Sequence, residues 1–268
     1  MIDLGKQNVL GIRVDAVDYE AAVERIVAAA RNRQPYAVSA LAVHGLMTGV
    51  LDRQHRFRLN QFDLLTPDGQ PVRWALRWLH GVRLTDRVYG PRLTLEVCRR
   101  AEAEQLPIFL FGGAPELLER LKHNLLERFP RLLIAGTKPS KFRRLSVEER
   151  EETVAAIRAS GAAITLVGLG CPRQEVFAFE FRDALSMPVL AVGAAFNFIA
   201  GDLAQAPQYL QDRGLEWLYR LGKEPRRLWR RYVLLNPLYV GLLLLQLSRL
   251  KAFDPGDADP PAEQVLYG

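Results

Sequence analysis

Cysteine is nearly absent from this chain: Cys98 and Cys171 stand alone, with no CxxC pair. Their scarcity excludes a disulfide framework and a cysteine zinc site, and fits a reducing compartment. His44, His55, His80 and His123 lie in separate segments without an HExxH spacing, so no histidine metal centre is expected either. No uninterrupted apolar run is long enough for a simple membrane span. The most apolar stretch, Tyr232 to Leu247, is sixteen residues broken by Asn236, Pro237 and Gly241, short of the roughly 20 that a bilayer requires. The opening MIDLGKQNVLGIRVD has neither the basic start nor the continuous apolar core of a signal peptide, which predicts a cytoplasmic protein. No internal repeat is present.

Positive charge is present but unevenly placed. The formal net charge is +6, and from Gln211 to Phe253 nine Lys/Arg stand against three acids. The fifteen residues from Asp254 onward carry four acids and no base; with their prolines and glycines they read as a disordered acidic tail, 254–268. The densest basic stretch is EPRRLWRRYVLL, Glu224 to Leu235. On a helix turning about 100° per residue, Arg226, Arg227, Arg230 and Arg231 share one arc, and Leu228, Trp229, Tyr232, Val233 and Leu235 the opposite one. Such a stripe suits nucleic-acid phosphates, an anionic membrane surface or a phosphate-bearing substrate.

Upstream, short β-branched runs alternate with helical patterns. The strand candidates are VLGIRV, YAVSAL, FDLLTP, PIFLFGG, RLLIAGT, AAITLVGLG and MPVLAVGAAF. Between them, Asp18 is a plausible N-cap for an amphipathic helix, and Ser146 with Glu149 forms a capping-box pattern ahead of another. Continuous apolar strands separated by amphipathic helices predict a doubly wound α/β domain over 1–205: a mainly parallel sheet with helices on both faces. After Ala206-Pro207 only helical patterns follow, so 206–253 is expected to be a basic, amphipathic, membrane-associating helical appendage.

In that architecture ligands bind at the carboxyl ends of the strands, where small and polar residues gather here. Asp68, in LLTPDGQP, follows a buried strand and precedes a helix; it can be a general base or simply a turn or N-cap aspartate. FGGAPE and GLGCPRQE place Gly112, Gly113, Gly168 and Gly170 at strand-to-helix turns, where backbone can approach a diphosphate or merely ease helix–sheet packing. The second resembles the start of GxGxxG, but Arg173 replaces the third glycine and no acid ends the next strand, which disfavours a nicotinamide-dependent oxidoreductase. Gln174 and Glu175 open the following helix, facing the same crevice. Arg87, in TDRVYGP, can offset phosphate charge or pair with Asp86. Asp257-Ala258-Asp259 spells a DxD within the tail, a poor place for a metal site.

Taken in order, LLTPDGQPVRWA, DRVYGPRL, FLFGGAPE, LVGLGCPRQE, VGAAFNFIAG, APQYLQDRGLEWLYRL and EPRRLWRRY resemble the WecG/TagA/CpsF glycosyltransferases, glycosyltransferase family 26, across roughly residues 35 to 240. The resemblance implies an inverting, metal-independent, cofactor-free enzyme. It would move a sugar, an N-acetylmannosamine type or related hexose, from a UDP-sugar to an undecaprenyl-diphosphate-linked amino sugar. The setting would be the inner face of the plasma membrane, in cell-surface polysaccharide synthesis. It implies Asp68 as general base, with Ser39 nearby where the family usually has threonine, and Arg87 and Gln174 on the phosphates and sugar. Arg220, Arg226, Arg227 and Arg230 would close over the site and hold the lipid diphosphate. Expected partners are the two substrates and an anionic membrane surface, not nucleic acid, with a homo-oligomer allowed. Two residues depart from the family: Leu41 and Asn197 stand where asparagine and aspartate are usual, so sugar recognition is expected to differ. The reading that competes with transfer is a nucleic-acid-binding protein using the arginine stripe.

Overall fold

The computed structural model describes residues 1–268, with the side chains of Arg227, Arg230 and Arg231 outside the description. The six central strands are β3 (Tyr36–Leu41), β4 (Leu64–Pro67), β5 (Ile108–Phe111), β6 (Ile134–Lys138), β7 (Ile164–Val167) and β8 (Pro188–Ala191). They form one sheet in the order β4-β3-β8-β7-β5-β6, and every neighbouring pair is parallel. Side chains alternate between its faces, as strand geometry requires. Phe109, Phe111, Val189 and Ala191 enter one core; Ile108, Leu110 and Leu190 enter the other. The first core is closed by α2 (Val43–Leu51), α3 (Arg53–Asn60), α4 (Gln70–His80), α7 (Val147–Ala159) and α8 (Arg173–Leu185). The second is closed by α1 (Tyr19–Arg31), α5 (Gly90–Ala103), α6 (Pro115–Arg128) and the short α9 (Ala195–Ile199). Both expected caps are present. The Asp18 carboxylate accepts from Ala21 N at 2.9 Å, and Ser146 and Glu149 cap each other reciprocally.

One expected strand is something else. VLGIRV spans a turn between antiparallel β1 (Asp3–Val9) and β2 (Ile12–Val17), with Val9 opposite Ile12. Leu10 and Gly11 sit at φ 54° and 85°, the left-handed pair that a two-residue hairpin demands. Leu10 accepts that conformation while its side chain is fully buried, so an unbroken apolar run conceals the turn. Asp15, on β2, accepts from Lys6 Nζ (2.9 Å), Arg25 Nη1 (2.9 Å) and Leu65 N (2.7 Å) while 1% exposed. It ties the hairpin to β4, the strand that ends at the candidate site. Asp15→Ala removes an acceptor shared by two part-buried cations and a buried N–H, and is expected to cost about 3 kcal/mol, read as a lowered urea midpoint with unchanged slope.

Beyond the sheet lie α10 (Gln208–Asp212), α11 (Glu216–Lys223) and α12 (Pro225–Leu247). The two arcs expected for α12 divide differently. Leu228, Tyr232, Tyr239 and Leu243 are buried, while Trp229, Val233, Leu234, Val240 and Leu244 are exposed. The helix packs on α2 and α4, with Tyr239 Oη donating to Pro71 O at 2.9 Å. Among the described residues no helix is long and apolar enough to cross a membrane. Residues 254–268, whose composition reads as disorder, lie against the domain. Asp257 and Asp259 pair with Arg53, Arg56 Nη1 donates to Asp257 O at 2.8 Å, and Glu180 accepts from Val265 N and Leu266 N at 2.8 and 2.9 Å. Partners some 200 residues away by sequence separation answer the tail's acids, which composition cannot reveal.

Candidate active site

The registers bring the carboxyl ends of β3, β4, β5, β7 and β8 to one rim: Leu41 faces Pro67, Ser39 and Val167 face Ala191, and Phe111 faces Val167. The loops that follow therefore meet side by side, where a doubly wound fold binds ligands. Two cavities open along this rim. The larger, about 550 Å³, is lined by Gly113, Gly168, Gly170, Gln174, Asn197 and Arg220 among others, and is of the size that holds a small-molecule ligand. The smaller, about 110 Å³, is lined by Arg87, Glu216, Trp217, Tyr232 and Leu235 among others. Asp68 and Tyr89 line both.

Asp68 follows β4 directly, and Gly69, at φ 94°, turns the chain into α4. Its Oδ2 accepts from Gly90 N at 3.3 Å. Asp68 is partly buried and lines both cavities. That burial pushes the carboxyl up to about 7, against the opposing pull of Arg87, with the negative charge of Glu216 adding to the rise and Gly90 N–H and Arg220 lowering it. A carboxylate poised near neutrality can accept a proton and release it again.

Arg87 is held from the appendage. Its Nη2 lies 2.7 Å from Glu216 Oε2 and donates to Gln211 Oε1 at 2.8 Å, while its guanidinium lies 4.3 Å from the centre of the Tyr89 ring. Asp86 instead takes the Arg87 backbone N–H, at 2.7 Å. Arg220, on α11, sits over Phe198 at 5.5 Å. Cations thus converge beside Asp68 from the domain and from the appendage, an arrangement that can balance phosphate charge.

In the larger cavity the glycines let backbone approach. A Cβ on Gly112 would meet Gly168 backbone at 3.0 Å, and one on Gly168 would meet the Phe196 ring at 2.4 Å. The starts of α6 and α8 follow these turns and present N–H groups suited to an anion. Gln174 is fixed at both ends: its Oε1 accepts from Gly170 N at 3.1 Å and its Nε2 donates to Glu175 Oε1 at 2.9 Å. Ser39 Oγ donates to the same Glu175 oxygen at 3.0 Å. Burial raises the Glu175 pKa, and these donors oppose the rise.

Of the residues singled out by sequence, Asp68, Gly113, Gly168, Gly170, Gln174, Glu175, Asn197 and Arg220 line the larger cavity, and Arg87 the smaller. Ser39 is wholly buried behind Glu175, and Gly112 packs against Gly168. Leu41 belongs to the core. Arg226 is exposed and lines neither cavity; the side chains of Arg227 and Arg230 lie outside the description. Sequence reading missed Tyr89, Gln211 and Glu216. A carboxylate in the first turn of a helix looks like ordinary helix-start composition, and only the docking of α11 reveals its partner. The family model for the glycosyl transferase WecG/TagA/CpsF family matches residues 7–252, the sheet, the cavity-lining loops and the appendage together, and the chain therefore belongs to that family.

Proposed function

We propose that the protein is an inverting, metal-independent glycosyltransferase of cell-surface polysaccharide assembly. It transfers a sugar, of the N-acetylmannosamine type or a related hexose, from a UDP-sugar to a polyprenyl-diphosphate-linked amino sugar. The observation that carries this reading is the position of Asp68 on the shared wall of two cavities of unequal character. The larger, glycine-lined cavity takes the nucleotide sugar. The smaller, with Trp217, Tyr232 and Leu235 on its wall, receives the acceptor sugar. The acceptor hydroxyl oxygen attacks the anomeric carbon and its proton passes to Asp68. The bond from that carbon to the phosphate oxygen breaks, its electron pair leaves with UDP, and the carbon inverts. Arg220, which lines both cavities, balances the charge on the leaving diphosphate, while Arg87, on the wall of the smaller cavity, balances charge on the acceptor's diphosphate. Family membership supports transfer over the nucleic-acid and nicotinamide readings.

A panel of UDP-sugars with a short-chain polyprenyl-diphosphate amino sugar tests the reaction. One donor is expected to give UDP and a product heavier by one sugar residue, at a rate unchanged by chelator; no product from any donor would reject the reading. The lipid acceptor requires contact with a bilayer, and the exposed apolar face of α12 is suited to an interface. Val233→Asp combined with Leu244→Asp is expected to reduce flotation with anionic vesicles at least ten-fold while leaving the melting temperature unchanged. Undiminished flotation would place membrane contact elsewhere.

A further inference from the structure

The loop between β6 and α7, residues 139–146, carries Phe142, which lines the larger cavity yet is 61% exposed. Its backbone lies at φ 55°, a left-handed conformation that a bulky residue adopts only when its surroundings impose it. The impositions can be named. Phe142 N donates to Ser140 Oγ at 2.9 Å, and Ser140 N donates to Gly113 O at 3.0 Å, on the cavity wall. Ser140 Oγ in turn donates to Gly268 O at 2.8 Å, Gly268 N to Arg143 O at 3.2 Å, and Leu145 N to Leu266 O at 2.7 Å. Arg144 forms a β-bridge with Tyr267.

Residues 265–268 thus run alongside the loop as a strap. The strap is itself anchored by the Glu180 carboxylate, which accepts from Val265 N and Leu266 N. It reaches the opposite wall as well, where Arg173, the residue before Gln174, places its guanidinium 6.0 Å from the Tyr267 ring centre. None of the strap lies within the family match, which ends at residue 252. The chain therefore holds an exposed aromatic ring at a cavity mouth, on a strained backbone, with hydrogen bonds from a segment that contributes nothing to the cavity lining. Packing within the protein does not account for a ring left so open; a flat ligand surface does.

We infer that residues 265–268 position Phe142 so that its ring stacks on the base of the donor nucleotide, which makes the strap a determinant of donor affinity. The inference rests on the nucleotide-sugar reading of the larger cavity. Stacking of a base on an aromatic side chain is lost on truncation to alanine, with an expected loss of affinity of roughly ten-fold.

Titration calorimetry on the full chain measures UDP and, separately, inorganic pyrophosphate. Phe142→Ala is expected to weaken UDP about ten-fold and pyrophosphate less than two-fold, with Phe142→Trp restoring UDP affinity. Glu180→Ala, which loosens the strap without touching the loop, and deletion of residues 265–268 are expected to give the same selective loss. Combining either with Phe142→Ala should add nothing further. If the deletion lowers the melting temperature sharply, Glu180→Ala carries the test. UDP affinity within two-fold of wild type in Phe142→Ala overturns the stacking role. A loss in Phe142→Ala alone, absent from both strap variants, overturns the strap. Wild-type protein that binds no UDP overturns the donor reading instead, and this inference with it.

Discussion

Asp68→Asn is expected to reduce the transfer rate by about 10²–10⁴-fold, the contribution of a positioned general base, while UDP affinity stays within a few-fold of wild type. The same substitution is expected to stabilise the protein at alkaline pH. The Asp68 carboxyl sits at about 7 in the fold against an ordinary 3.8, so between those values the folded chain holds a proton that the unfolded chain has released. Stability is then highest below the unfolded value and declines as pH rises through about 7. Asparagine removes that decline. At pH 8 the variant should unfold at higher urea by an amount equivalent to about 2–4 kcal/mol, allowing for the partial opening of Asp68 to the cavities. Near pH 4 the two proteins should converge. A variant that loses activity without this pH-dependent gain would argue that Asp68 is ionised in the fold, and so a different kind of participant.

Arg87 and Glu216 exert opposite electrostatic effects on Asp68, and their substitution is expected to split the pH dependence of turnover. Arg87 lowers the Asp68 pKa and Glu216 raises it. Arg87→Met removes the lowering influence, so the acidic limb of the profile should move above pH 7. It should also cost about 10²–10³-fold in kcat/KM, as truncating one partner of a buried, hydrogen-bonded charge pair does. Glu216→Gln removes the raising influence, so the limb should move below pH 7, with a far smaller loss of rate. Movement of both limbs in one direction, or of neither, would mean that the titrating group is not Asp68.

The strand-end logic was legible because parallel sheets leave an unambiguous pattern. Continuous apolar runs ending in small and polar residues place Asp68, Gly113, Gly168 and Gln174 at one rim whatever the details between them. Caps were equally readable, since Asp18 and Ser146 act within three residues of themselves. What escaped was long-range or masked by burial. The Leu10–Gly11 turn hides in an apolar run because Leu10 is buried despite its left-handed backbone. Glu216 and Gln211 meet Arg87 across well over a hundred residues. The tail's acids are answered by Arg53 and Arg56, and its backbone by Glu180, none of which local composition can indicate.

The ion pair between Arg87 and Glu216 also bears on the energetics of turnover. Both side chains are largely removed from water, at 8% and 13% exposure. In the proposed reaction a diphosphate arriving at Arg87 would exchange with a carboxylate already in place, and no bare cation would wait to be neutralised. The free energy of that step is a difference between two ion pairs, smaller than either alone. In the proposed reaction the same exchange in reverse would assist release of that diphosphate, because Glu216 stands on α11 to reclaim its partner. A site arranged in this way favours repeated cycling of substrate over retention of product.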